Sequence, residues 1–170
     1  MCQESATKDE HQSNMASSPS NTHFMQLALA QGRLALPECL PNPPVGCVLV
    51  KDNVVIAQGY TQAPGFHHAE AMALSGLSGD CSGVTAFVTL EPCSFHCRTP
   101  SCAQALINSG VEKVFVGLLD PDPRNSGAGI RMLREAGITV VVGLLAEEAA
   151  KDLADFLVCK PDGSSDRNDQ

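Results

Sequence analysis

Two short stretches constrain this chain more than any others: His68-Ala69-Glu70, and Glu91-Pro92-Cys93 running on to Cys102. Zinc takes thiolate and imidazole donors, and a catalytic zinc keeps three protein ligands so that its fourth position stays open. His68, Cys93 and Cys102 are such a set. Glu70, two residues beyond the histidine, is expected to reach the same centre without binding it and to shuttle protons there. Taken singly, these residues read as a buried histidine, a surface acid and two core cysteines. Taken together they require a fold that carries two separated loops to one point.

The flanking segments supply that fold as alternating strands and helices. A helix is predicted from Thr22 as N-cap, through Phe24, Met25, Leu27, Ala28 and Leu29, to near Gly32. Pro37, Pro41, Pro43 and Pro44 then exclude helix and impose a loop. Val45–Val50 and Val54–Gln58, joined by Lys51-Asp52-Asn53, predict a β-hairpin with Asn53 at a positive-φ position. A helix starts at Ala69, which puts His68 and Glu70 at its N-terminus, where the helix dipole favours negative charge. Val84–Leu90 reads as a buried strand stopped by Pro92, and Ala103–Ser109 as a helix closed by Gly110. Val111–Leu119 is a strand leading into the rigid loop Asp120-Pro121-Asp122-Pro123. Gly129–Ala136 is a helix, Ile138–Val142 a strand, and Ala146–Leu157 a closing helix. This order predicts an α/β fold with three layers, α/β/α, around a mixed sheet of about five strands. One domain over 22–158 is expected, with a disordered leader over 1–21 and a flexible tail over 159–170.

Composition limits the partners. Nineteen acidic against 11 basic side chains give a net charge of -8, which argues against a nucleic-acid partner, since phosphate binding needs a concentrated basic face. No run approaches the ~18 apolar residues of a membrane span, and residues 1–21 lack the apolar core of a signal peptide. No membrane partner and a cytoplasmic location are therefore expected. Eight cysteines in a short secreted chain would suggest disulfides. In a reducing compartment they read as two metal ligands and six free thiols, with Cys47 and Cys81 as packing residues.

A His-x-Glu followed by Pro-Cys is the arrangement of zinc deaminases that act on nucleobases. The chain resembles the cytidine-deaminase-like zinc fold, most closely the pyrimidine deaminase domain of riboflavin biosynthesis. The likeness spans about residues 24–158. It is carried by Pro41-Asn42-Pro43-Pro44-Val45-Gly46, Gly65-Phe66-His67-His68-Ala69-Glu70, Thr89-Leu90-Glu91-Pro92-Cys93-Ser94, Arg98-Thr99-Pro100-Ser101-Cys102, Asp120-Pro121 and Gly137-Ile138. The eight-residue gap between Cys93 and Cys102 matches this branch, whereas nucleoside and tRNA deaminases show Pro-Cys-x-x-Cys.

The resemblance implies one zinc per chain on His68, Cys93 and Cys102, with Glu70 as the catalytic acid–base. It implies hydrolytic deamination of a diaminohydroxyphosphoribosylamino-pyrimidine and assembly as a homo-oligomer. Asn42, Thr61, Ala69, Phe95 and Asp120 are implied to line the substrate pocket, with Asp122 and Asn125 as further candidates. Arg98, the cation of the metal loop, is the candidate for an anionic substrate group. Glu91 is expected to orient its loop. Three positions depart from the family's usual pattern: Thr61 and Phe95 stand where it carries histidine, and Asp122 where it carries asparagine. Those changes leave a second reading open, a relative that deaminates another aminopyrimidine or nucleoside. A third reading, from another class, is a non-catalytic zinc-stabilised binding domain, its metal closed by His96 or Cys97.

Overall fold

The structure, a computed structural model, describes residues 19–95 and 100–157. The expected leader and tail lie outside the described residues, except for positions 19–21. There the chain is already ordered: helix α1 (Asn21–Leu34) begins one residue after Ser20, whose side chain accepts the His23 N–H. Ser20 displaces the expected cap, Thr22, because its extended backbone aims the hydroxyl at the third residue of the helix. Gly32 is buried within α1 and does not end it.

Strands β1 (Gly46–Lys51) and β2 (Val54–Tyr60) form the hairpin. Its turn is tighter than expected: Asp52 and Asn53 both have positive φ, 51° and 61°, and Lys51 pairs directly with Val54. Two such residues in sequence match the twist of the strands they join. A register shift between Leu49 and Val50 marks a bulge that alternation alone did not reveal. Helix α2 (Ala69–Ser75) is followed by β3 (Thr85–Leu90), α3 (Cys102–Ser109) and β4 (Lys113–Leu118). Then come α4 (Ala128–Glu135), β5 (Thr139–Val142) and α5 (Ala146–Leu153), which tightens into a 3-10 turn over Ala154–Phe156. The sheet order is β2-β1-β3-β4-β5, antiparallel among the first three strands and parallel from β3 to β5. This is the expected mixed five-stranded sheet.

Strand periodicity divides the core between two faces. Cys47, Leu49, Ala86, Val88, Val114 and Val116 face α2, α3 and α4, meeting Ala69, Ala73, Leu106 and Leu133. The alternate residues Val48, Val50, Phe87 and Phe115 face α1 and meet Phe24, Met25 and Ala28. On that side Phe87 and Phe115 stack at 4.9 Å between ring centroids, and Arg33 pairs with Asp152 at 3.0 Å to tie α1 to α5. The described cysteines (Cys39, Cys47, Cys81, Cys93 and Cys102) are all free thiols. Among the described residues, no helix is long and apolar enough to cross a membrane.

One contact sets how closely α2 lies on the sheet. A Cβ built on Gly59 of β2 would stand 2.4 Å from the Ala69 carbonyl oxygen and 2.6 Å from the Ala73 nitrogen. Both obstacles are backbone, so Gly59→Ala must push the helix outward and carry His68 with it. Overpacking of this kind costs about 1–3 kcal/mol. We expect Gly59→Ala to lower the thermal midpoint and to weaken metal binding together, as measured by denaturation with and without zinc.

Candidate metal centre and active site

Three elements converge on one point. His68 is the N-cap of α2, with extended backbone and no capping bond from its ring, so the imidazole is free for other work. Cys93 follows β3 after Pro92, and Cys102 is the first residue of α3, capped by Ser101. His68 Nδ1 lies 3.2 Å from Cys102 Sγ and 3.8 Å from Cys93 Sγ, and all three donor atoms fall within 4.8 Å of one another. A tetrahedral zinc with sulfur at ~2.3 Å and nitrogen at ~2.0–2.1 Å separates its ligands by about 3.5–3.8 Å. Spacing and donor chemistry both fit zinc, and among the described residues the cluster consists of these three. His96 and Cys97, the proposed closing ligands, lie outside the described residues.

The Cys102 N–H donates to Cys93 Sγ at 3.2 Å, and the Ala103 N–H donates to the Cys93 carbonyl oxygen at 3.1 Å. The start of α3 thus presents backbone dipoles to a thiolate. The Cys102 sulfhydryl hydrogen-bonds Cys93, and with the help of His68 it holds the Cys93 thiol well below its ordinary pKa. The same bond, with burial, pushes Cys102 well up. His68 is raised, chiefly by its bond to Cys93. Glu70 is 4% exposed, in the first turn of α2. Its burial raises its pKa and the Cys93 charge raises it further, while the His68 charge, and hydrogen bonds from its own backbone and from Cys102, work against the rise.

Among the described residues, the Glu91 carboxylate hydrogen-bonds none of the trio. Its buried carboxylate accepts four backbone N–H bonds: Asp120 at 3.2 Å and Gly127 at 3.0 Å on Oε1, Gly129 at 3.0 Å and Ile130 at 3.3 Å on Oε2. It therefore caps α4 at its positive end and fastens the loop that follows β4, whereas sequence reasoning expects it to orient its own loop. Gly129 makes the approach possible, since a Cβ there would stand 2.0 Å from the Pro92 carbonyl oxygen.

The residues expected to line a substrate pocket divide by how much of their polarity is already used. The Thr61 hydroxyl is buried, accepting from the Val45 N–H at 3.0 Å and donating to the Pro43 carbonyl at 3.0 Å. It bolts the proline-rich loop to the end of β2. Asn42, on that loop, is half-buried, and no hydrogen bond to its side-chain amide is found among the described residues. Ala69 is fully buried, backbone included. Asp120 accepts from the Asp122 N–H at 2.9 Å and from Asn125 Nδ2 at 3.3 Å, so both oxygens serve the loop. Phe95 is exposed beside Cys93, with the Arg124 guanidinium 5.1 Å above its ring. Arg124, which sequence reasoning did not single out, also pairs with Asp122 at 2.6 Å. Arg98 lies outside the described residues.

Comparison with known proteins agrees with this geometry. The family model described as the cytidine and deoxycytidylate deaminase zinc-binding region matches residues 18–118. The chain is 46% identical over 136 residues to the riboflavin biosynthesis protein RibD of Actinobacillus pleuropneumoniae, covering 80% of this chain and 36% of that protein. It is 42% identical over 126 residues to a diaminohydroxyphosphoribosylamino-pyrimidine deaminase of Buchnera aphidicola, covering 74% of this chain and 86% of that protein. The solved structure of Acinetobacter baumannii RibD superposes with a TM-score of 0.77 at 43% identity, covering 80% of this chain and 38% of that one. The chain thus spans little more than a third of the RibD proteins it matches, and nearly all of the shorter Buchnera aphidicola deaminase. With the family model spanning more than half of the sequence and a 42% identical relative matched over most of its length, the chain belongs to the cytidine and deoxycytidylate deaminase zinc-binding family.

Proposed function

We propose that this chain is a zinc-dependent hydrolytic deaminase of an amino-substituted pyrimidine, and that its substrate is the diaminohydroxyphosphoribosylamino-pyrimidine named for its Buchnera aphidicola relative. The observation that carries the reading is the donor trio within 4.8 Å with Glu70 buried one residue into the helix that His68 caps. Bound zinc supplies a Lewis acid able to make water nucleophilic near pH 7. Glu70 takes a proton from the attacking water and delivers it to the ring nitrogen beside the amine-bearing carbon. Oxygen then adds to that carbon. Glu70 takes the second water proton and gives it to the amine, the C–N bond breaks, and ammonia leaves with the carboxylate restored. The raised pKa of Glu70 suits a group that must both accept and return protons. Asn42, through its half-buried side-chain amide, is the pocket group this reading uses most readily.

A second reading, a different aminopyrimidine or nucleoside, is favoured by Thr61, whose hydroxyl is already bound to Val45 and Pro43. The Asp122 carboxylate is paired with Arg124 and adds no uncompensated charge. The two readings separate in an ammonia-release assay over matched phosphorylated and unphosphorylated aminopyrimidines. Release from phosphorylated compounds alone supports the first, and release from unphosphorylated ones alone the second. The cytoplasm suits a site that needs two reduced thiols.

A further inference from the structure

Asn125 is fully buried, yet it sits in the loop between β4 and α4, where a side chain has every chance to face solvent. Its Oδ1 accepts the Ser94 N–H at 3.0 Å, and its Nδ2 donates to the Pro92 carbonyl oxygen at 3.3 Å. Pro92 and Ser94 are the two neighbours of Cys93, so one amide grips the backbone on both sides of a sulfur donor. Nδ2 also reaches Asp120 Oδ2 at 3.3 Å, and the Asp120 N–H is held by Glu91. The clamp is thereby anchored to the same carboxylate that fixes α4. Asparagine suits the position because its short side chain carries a donor and an acceptor at once, whereas aspartate lacks the donor and an aliphatic residue lacks both.

We propose that Asn125 is a positioning residue for the metal centre: it sets the direction in which Cys93 presents its sulfur, and so tunes zinc affinity and the geometry of the site. The proposal rests on the zinc reading of the trio. Groups that orient metal ligands through hydrogen bonds typically change metal affinity 10–100-fold when removed. A purely structural Asn125 would lower stability and leave metal binding intact.

The test uses the full chain and two variants. Asn125→Val removes all three side-chain hydrogen bonds, to Ser94, Pro92 and Asp120. Asn125→Ser keeps a polar side chain in the pocket but cannot span Pro92 and Ser94, and it decides the matter if Asn125→Val does not fold. Zinc affinity is measured by competition with a chelating dye, and cobalt is substituted to read the thiolate charge-transfer and ligand-field bands. We expect affinity to fall about 10–100-fold, with shifted cobalt bands, in protein whose metal-free thermal midpoint shows it to be folded. Affinity within threefold of wild type with an unchanged cobalt spectrum, in whichever variant folds, would overturn the proposal. The wild-type titration keeps the two ideas apart. Zinc bound equally by wild type and variants removes only the clamp, whereas no zinc bound by wild type removes the metal reading and the clamp with it.

Discussion

Glu70→Gln is expected to lower ammonia release by about 10²–10⁴-fold, the usual weight of a positioned acid–base group, while zinc content stays at the wild-type level. Glutamine matches the shape of glutamate but cannot carry a proton between water, ring and amine. The three donor atoms belong to other residues, so the metal should remain. A second, opposite effect is expected in the metal-free protein. Burial raises the Glu70 pKa, so the charged form is disfavoured in the folded chain. Sign follows from linkage: the penalty is absent below the unfolded carboxylate pKa of about 4.3, and it grows until the pH passes the raised folded value. At neutral pH, metal-free Glu70→Gln should therefore melt at a higher temperature than metal-free wild type. Lost activity with raised stability is the pattern of a functional residue kept at a structural cost. Wild-type turnover in the variant would remove Glu70 from the proton transfers, whereas no ammonia release by the wild type itself would support the non-catalytic zinc-stabilised domain.

Glu91→Ala should have the largest effect on stability. Four backbone N–H groups lose one shared carboxylate, those of Gly129 and Ile130 at the start of α4 and those of Asp120 and Gly127 in the loop before it. Bonds to a charged acceptor contribute about 1.5–3 kcal/mol each when unshared. Entering water recovers part of that, which leaves a net loss of about 3 kcal/mol or more. For a domain of this size that corresponds to a drop of roughly 6–12 °C in the thermal midpoint, readable by calorimetry. Glu91→Asp should recover little, because the shorter side chain cannot span Asp120 and Ile130 together. A midpoint within 2 °C of wild type, on the scale of about 2–4 °C per kcal/mol, would refute the anchoring role.

Local chemistry made much of this molecule legible in advance. Metal-ligand types at two loop positions, a helix former after His68, and Gly110 with φ 89° closing α3 all act over a few residues, and the chain obeys them. The hairpin was legible for the same reason, through Asn53. The additional positive φ at Asp52 follows from strand twist, a property of the paired strands and not of a single residue. The site's supporting contacts escaped because they join positions far apart in sequence. Nothing in the periodicity around Pro92 announces Asn125, 33 residues on, and nothing around Glu91 announces Gly129, 38 residues on. Thr61 shows the limit from the other side. Resemblance marked it as a pocket position, but its hydroxyl is taken by backbone 16 and 18 residues away. Asp120 likewise spends both oxygens within its own loop.

Zinc content and X-ray absorption at the zinc edge, measured on the same purified protein, test the central claim most directly. The account predicts one zinc per chain, surrounded by two sulfur atoms at ~2.3 Å and two lighter atoms at ~2.0–2.1 Å, the lighter pair being His68 and solvent. Protein without zinc, or zinc with three sulfur neighbours, would contradict it.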